Sequence, residues 1–533
     1  MGRIRHLHVF LAILFPLSLN AQTNTPAFYW YQGKKILLKR AENTVAAKVL
    51  TGVDYKAKFP WLAKYFASVG GSNLRTEPVL LKASTISMKK AEDALASGIR
   101  SHELYNLGVF EVGKAKLIVQ NEIIVQFKSG DTTTLLAEAL LAHFSKTFVR
   151  QPGSGLRYLV RVPNPASTLA LADMLYRNNT VLSAEPNFVI VRPAGATRAK
   201  AISPATLAAA RSTTPPATFP SDPFFSSQWG LTKVGAPNAW KTTHGSAAIR
   251  IAVLDDGVDV THADLRDKID SSFDMLRNTS DMAPPSEDGH GTMVAGVAAA
   301  TTNNAYGVAG LAPDVKLIPI RMESTVPPDS AAVTTINIVN SFEKAVELGA
   351  DVINCSWSMP TPSDDVASEI EAVSLQGRAG KGAVIVFAAG DDGNALAFPA
   401  NLSVSLATMA VGASNEWDEF ATYSNHPGED DWASAYGDGL TVVAPGVHIT
   451  TTVHSGSVSS GTPPFTDDFW GTSAAAPFVS GLAALILSVN PALSSAQVRS
   501  QIANSADMVI KDPTGTVIGR INACKALGRA DCG

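Results

Sequence analysis

The sequence predicts an α/β protein built on a doubly wound, mostly parallel sheet, with a small α+β unit ahead of it. Beyond residue 221, runs that are apolar on consecutive positions recur at 249–254, 317–322, Val352–Cys355, Val384–Ala388, 409–411 and 440–444. Strands buried on both faces read this way, and helical periods at 336–348 and 366–376 supply the crossovers between them. Between residues 122 and 192 the chain instead alternates short strands at 122–127, 156–162 and 188–192 with helical patterns at 135–144 and 169–176, which makes a separate small unit.

A chain of 533 residues is too long for one ordinary core and is expected to divide into two or three folding units. Its 46% hydrophobic and 17% charged composition is that of a chain that folds. A net charge of -4 leaves no basic surplus to neutralise phosphates, which argues against nucleic-acid binding. In chain order, residues 1–21 read as a signal peptide. Arg3 and Arg5 precede an apolar run from Val9 to Leu19, and Leu19-Asn20-Ala21 resembles a small-residue cleavage site. That run falls short of the roughly 20 residues a spanning helix needs, so no membrane anchor is expected in the mature form. Export to the outside or to a periplasm follows.

Residues 22–112 carry Phe28-Tyr29-Trp30-Tyr31 but no usable motif, and form a pro-region of open role. The α+β unit occupies 113–193. Residues 194–220, rich in Ala, Thr, Pro and Ser with almost no large apolar residue, read as a linker. Residues 221–533 form the large domain, ending in a helix that starts near Ser495, where Ser494 and Gln497 make a capping box. Cys524 and Cys532 lie close in the sequence and suit a small disulfide loop in an oxidising compartment, whereas Cys355 sits in an apolar run and reads as a buried small hydrophobe.

Three local sequences fall where such a sheet delivers side chains to its carboxyl edge. The strand at 249–254 runs into Asp255-Asp256-Gly257. Asp288-Gly289-His290-Gly291-Thr292 places His290 at the start of an Ala/Gly-rich helix, and Gly471-Thr472-Ser473-Ala474 places Ser473 at the mouth of an apolar one. A serine hydroxyl is a weak nucleophile until a base takes its proton, and an imidazole does so best when a carboxylate fixes its tautomer. At a helix N-terminus the Ser473 N–H is also aimed at a developing oxyanion. Taken singly, each residue has a plainer role: Asp255 as turn former, His290 as helix cap, Ser473 as N-cap.

Taken together, with His-Gly-Thr-Met-Val-Ala-Gly and Gly-Thr-Ser-Ala-Ala-Ala-Pro in this order, the chain resembles the subtilisin-like (S8) serine protease family from about Asp222 to Ala523. Gln228-Trp229-Gly230-Leu231, Ser356-Trp357-Ser358 and Gly519-Arg520-Ile521-Asn522-Ala523 add to the resemblance. It implies a secreted endopeptidase acting on protein or peptide substrates through a serine acyl-enzyme. Asp255 is then the orienting carboxylate, His290 the general base and acid, Ser473 the nucleophile, and Ser356, Trp357 and Ser358 the substrate-pairing strand. The α+β unit, with Ala184-Glu185-Pro186-Asn187 near its last strand, looks like the family's inhibitory propeptide. That implies a ferredoxin-like fold that assists folding and covers the active site until removed.

The chain departs from the family twice. Where the family has Ala-Ala-Gly-Asn, with an amide donor to the oxyanion, this chain has Ala388-Ala389-Gly390-Asp391, and an ionised carboxylate donates nothing. A prohormone convertase of the family is similar in carrying Asp there and still cleaves. Ser358 also replaces the usual glycine, which narrows or reorients the first specificity pocket. The resemblance further implies a structural calcium with Asp264 and Asn304 as side-chain oxygen ligands, although both also read as solvated loop residues. Nothing calls for an organic cofactor. Asp256, Glu287 and Asp288 resemble the acidic residues of kexin-like members that accept basic side chains, and equally read as solvated loop charges. The rival class is a catalytically silent binding protein on the same fold, motivated by Asp391 and opposed by the intact Asp255, His290 and Ser473.

Overall fold

Apolar residues on consecutive positions must be covered on both sides, and in this chain two helical layers cover them. The computed structural model describes residues 27–41, 108–113, 115–128, 134–153, 155–191, 202, 220–284, 288–324, 333–425 and 432–532, with the backbone of Thr44–Val49, Phe66–Ser68, Val79–Ala83 and 104–107. The expected signal peptide, 1–21, lies outside the described residues.

The large domain carries a nine-stranded sheet in the order Phe273–Asp274, Lys316–Arg321, Arg250–Asp255, Val352–Cys355, Val384–Ala388, Met409–Ser414, Leu440–Pro445, Val517–Arg520, Asp507–Lys511. Every pairing is parallel except the last, an antiparallel hairpin. Alternate residues of one strand enter different cores. Ile251 and Val253 join the core of the helices His290–Ala299 and Thr472–Val489, while Ala252 and Leu254 join that of Thr335–Glu347 and Asp364–Gly380. The sheet is therefore doubly wound, and the expected elements agree with the observed ones to within a few residues. The apolar helix Thr472–Val489 is long enough to span a bilayer but is 83% buried as the central core helix. The helix Ser495–Ser505 begins at Ser494, whose side chain and that of Gln497 cap each other's backbone. Cys524 and Cys532 are disulfide-bonded with Cα atoms 5.4 Å apart, and Cys355 is buried.

The smaller unit is an antiparallel sheet in which Val181–Val191 pairs with Ala115–Phe127, that strand with Leu156–Arg161, and the last with Phe148–Arg150. Helices Thr134–Ala142 and Thr168–Tyr176 provide the crossovers. The final strand is longer than the expected 188–192 because residues 181–187 mix polar residues and Pro186, which hides a strand from pattern reading; a register shift falls at Pro186. The expected linker also holds one core residue: Ile202 is 5% exposed and donates its N–H to the Phe465 carbonyl at 2.9 Å.

The small unit packs on the N-termini of two helices of the large one. Asn187 Oδ1 accepts from the Ile336 N–H at 3.1 Å, and the Glu185 carboxylate accepts from Ser363 Oγ and the Asp365 N–H. The Glu185 side chain there satisfies an orphan N–H of the helix start, and burial with the Asp365 charge beside it pushes its pKa well up. Beside it the buried Arg157 faces Glu343 at 2.9 Å, Glu369 at 3.0 Å and Asp365 at 3.6 Å. Burial and the Glu369 charge raise the Glu343 pKa to about 8 even with Arg157 alongside. Replacing Arg157 by Leu strands these carboxylates, and breaking a buried ion pair costs about 3–5 kcal/mol. The Arg157→Leu precursor is expected to melt several degrees lower in a calorimetric scan. Unchanged melting would show that the acidic groups are already neutral without it.

Candidate active site

Asp255 ends the strand Arg250–Asp255 in the middle of the sheet and is fully buried. His290 opens the helix His290–Ala299. Its Nδ1 lies 2.8 Å from Asp255 Oδ1 and 3.1 Å from Oδ2, so Nδ1 carries the proton given to the carboxylate, and in the neutral ring Nε2 keeps its lone pair. Burial acts to lower the His290 pKa, but the Asp255 charge and hydrogen bond, helped by Asp256, outweigh it and raise the value to about 9. The imidazole edge also meets the Phe469 ring at 5.6 Å.

Asp256 holds this helix in place. Its carboxylate accepts from the N–H groups of His290 at 3.0 Å and Gly291 at 2.7 Å. Gly291 is required by contact: a Cβ there would lie 2.2 Å from the Gly257 carbonyl oxygen. Burial and the neighbouring Asp255 push the Asp256 pKa well up. Asp288 is buried as well and receives Arg321 at 3.0 Å and Ser324 Oγ at 2.5 Å. Both carboxylates are thus engaged internally, which removes the ground for expecting them to select basic substrate side chains. Glu287 lies outside the described residues.

Ser473 is the second residue of the helix Thr472–Val489. Its hydroxyl donates to the Ser356 carbonyl at 2.9 Å, and Ser356 Oγ donates to the Ser473 carbonyl at 2.9 Å. Asn354 and Ser480 continue this network, with Asn354 Nδ2 on Ser356 Oγ at 2.9 Å and Ser480 Oγ on Asn354 Oδ1 at 2.8 Å. The serine is therefore anchored to the end of the strand Val352–Cys355, with its hydroxyl turned to the peptide carbonyl rather than bonded to His290. Trp357 is buried against Phe342 and Phe387 and still forms part of a cavity wall, with Ser358 beside it.

Asp391 does more than the sequence suggested. Its Oδ1 accepts from the Thr472 N–H at 2.7 Å and from Thr472 Oγ1 at 2.9 Å, capping the helix that carries Ser473. Burial raises its pKa, while the Thr472 hydrogen bonds and the His290 charge work the other way. Gly471, at φ 97°, brings the chain past this carboxylate, and a side chain there would lie 3.1 Å from Oδ2. A cavity of about 710 Å³ runs from Ser473, Thr472 and Asp391 along Ser358–Pro362 and Asp392–Phe398, and residues of the N-terminal region line it too.

The expected calcium ligands meet at another loop. Asp264, fully buried, accepts from Asn304 Nδ2 at 2.8 Å and the Val308 N–H at 2.9 Å. Asp222, which no sequence motif singles out, accepts from the N–H groups of Asn303 and Asn304. Burial, with the Asp222 charge adding to it, raises the Asp264 pKa to about 7. Among the described residues no group of three or more His, Cys, Asp or Glu side chains is placed to hold a metal. Asn304 turns its Nδ2 rather than the expected ligand oxygen to Asp264, and its Oδ1 accepts from the Tyr306 N–H at 2.9 Å.

The roles of Asn354, Thr472 and Asp222 were missed, and Asp256 was given a different one, because each acts through a partner distant in sequence. A family model described as the subtilase family matches residues 246–522, and one described as the fervidolysin N-terminal prodomain matches 108–187. The chain is 31% identical over 411 residues to a thermophilic serine proteinase of Bacillus sp. (strain AK1), covering 77% of this chain and 88% of that one. It is 34% identical over 310 residues to thermitase of Thermoactinomyces vulgaris, covering 58% of this chain and 99% of thermitase. A calcium-dependent protease of Nostoc sp. is 34% identical over 351 residues, 57% of this chain and 51% of the relative.

Proposed function

The chain belongs to the subtilase family of serine peptidases, and we propose that it is an exported endopeptidase whose triad is Asp255, His290 and Ser473. It is made with an inhibitory N-terminal prodomain. The observation that supports the triad is the Asp255–His290 pair, with His290 opening one buried-core helix and Ser473 standing near the start of another, where it lines the cavity.

In this mechanism a turn about the Ser473 Cα–Cβ bond carries the hydroxyl from the Ser356 carbonyl to His290 Nε2. His290 takes the proton as Ser473 Oγ attacks the substrate carbonyl, and Asp255 stabilises the imidazolium. The proton then passes to the leaving amine as the peptide C–N bond breaks, and water hydrolyses the acyl-enzyme by the reverse roles. The Ser473 N–H at the helix start and, when protonated, Asp391 face the oxyanion. Ser356, Trp357 and Ser358 are proposed to pair with the substrate backbone. Residues 1–21 direct export, 22–112 are a pro-region, 113–193 the inhibitory unit, 194–220 the linker and 221–533 the catalytic domain. A ferredoxin-like reading of the inhibitory unit is supported by its β-α-β-β-α-β order and by sheet neighbours running fourth, first, third, second. Reaction of Ser473 with a fluorophosphonate, together with hydrolysis of a peptide library, tests the peptidase reading. A matured protein that takes up no probe and cuts nothing would favour the silent binding protein that Asp391 suggests.

Asp264, Asn304 and Asp222 are proposed to hold a structural calcium, which supplies the positive charge their loop lacks; two relatives are described as calcium-dependent proteases. Adding calcium to chelator-treated enzyme is expected to raise the melting temperature by several degrees, the result of about 2.7 kcal/mol at a hundredfold excess over Kd. Asp264→Asn should abolish that response, and an identical shift in the variant would place the cation elsewhere.

A further inference from the structure

Residues 27–40 lie ahead of the matched prodomain, 108–187, and of the unit expected to inhibit, 113–193. They form a complete hairpin, Ala27–Tyr31 with Lys34–Arg40. Its two turn residues, Gln32 and Gly33, have φ of 46° and 74°, as a two-residue hairpin turn of the twisted kind demands. The second strand joins the small unit, where Lys39 and Arg40 pair with Glu111 and Phe110.

The first strand explains why four aromatic residues stand in a row, because strand side chains alternate between faces. Trp30 stacks on Tyr176 at 5.0 Å and donates from Nε1 to Asp173 at 2.7 Å, both on the prosegment helix Thr168–Tyr176. Tyr29 and Tyr31 reach the catalytic domain. Tyr29 is 2% exposed and donates its hydroxyl to the Pro362 carbonyl at 2.6 Å. Tyr31 meets the Phe398 ring edge-on at 5.9 Å. The Gln32 N–H donates to both Asp364 carboxylate oxygens, at 3.0 and 3.1 Å, where the helix Asp364–Gly380 begins. Pro362 and Phe398 line the same cavity as Ser473, and so do Tyr31 and the prosegment turn residues Val112, Gly113 and Ala115.

We propose that the Ala27–Arg40 hairpin is a second lock, separate from the prodomain proper, which roofs the substrate cavity and holds the prosegment in place after the connecting peptide bond has been cut. The proposal rests on reading the cavity as a peptidase cleft. Trp30 fixes one face of the hairpin to the prosegment, Tyr29 packs on Phe188 of the prosegment at 5.2 Å while its hydroxyl reaches the catalytic domain, and Tyr31 and the Gln32 N–H contact the catalytic domain. It therefore adds contacts to both bodies that the interface at Glu185 and Asn187 does not share. A substrate reaching Ser473 along Met359–Pro362 meets Tyr31 first.

The test uses the whole chain, with Tyr29→Phe to remove one hydroxyl and Tyr31→Ala to remove one ring. Gels follow the first cut, while fluorophosphonate labelling of Ser473 and hydrolysis of a short peptide follow access to the cleft. The first cut is expected at the wild-type rate, and the lag from that cut to full labelling should shorten by about tenfold in Tyr31→Ala and less in Tyr29→Phe. Asp364→Ala, which removes the acceptor of the turn N–H from the catalytic side, serves should either tyrosine variant fail to melt cooperatively. An unshortened lag in folded variants overturns the lock. Absence of labelling in every form, wild type included, overturns the peptidase reading instead.

Discussion

A Ser473→Ala precursor is expected to keep its prosegment indefinitely and to lose about 10⁶ in turnover, the scale set by removing the nucleophile of such a triad in subtilisin, a member of the same family. The loss is this large because the helix start, Asp391 and the cavity still bind and polarise a substrate carbonyl but form no acyl-enzyme. Ser473 Oγ lies in one closed network with Ser356, Asn354 and Ser480. Alanine removes only the hydroxyl donor to the Ser356 carbonyl, so the fold and the prosegment contacts are retained. Incubating purified variant and following its mass decides the matter. Trimming at the normal position without another protease present would rule out self-processing.

Asp391→Asn is expected to raise the rate above pH 7, by up to roughly 10²–10³ where Asp391 is ionised, the range for one oxyanion donor in subtilisin. The structure sharpens the reason. The side-chain oxygen of the variant amide would still accept from the Thr472 N–H and hydroxyl, preserving the cap, while its NH₂ group would present a donor where the aspartate has only an acceptor. The native site asks for two opposed states: Asp391 protonated to donate, and His290 neutral to accept. Against the pull of burial, Asp255 raises the His290 pKa to about 9, so His290 gains its base form only as pH rises through that value. Burial raises the Asp391 pKa as well, which keeps its acid form to higher pH than an exposed carboxylate would. The groups facing Asp391 are Thr472, Asp392 and His290. Removing an anion near His290 lowers the imidazole pKa, so the acid limb of the variant profile should also move to lower pH and flatten any acid preference. A variant slower than wild type at pH 8, on the same peptide, would show that some other group fills the oxyanion site.

Short-range sequence determined the scaffold and where on it the three residues proposed to react would stand. Buried parallel strands need apolar residues on every position, and a residue placed at the end of such a strand or the start of a helix keeps that place in the fold. The places of Asp255 at a strand end and of His290 and Ser473 at helix starts were legible for that reason, and the Ser494 cap and the Cys524–Cys532 pair were legible from their local spacing. Tertiary structure decided the rest, because each remaining function depends on a partner far along the chain. Asp256 caps the His290 helix from 34 residues away and Asp391 caps the Ser473 helix from 81. Tyr29 reaches Pro362 across 333 residues. Asp256 and Asp288 resembled substrate-facing charges until burial and the partners Gly291 and Arg321 showed them engaged within the protein. A carboxylate has the same letter in the sequence whether it is solvated, capping a helix or paired with a cation, and only the neighbours that folding brings to it fix which of these it does.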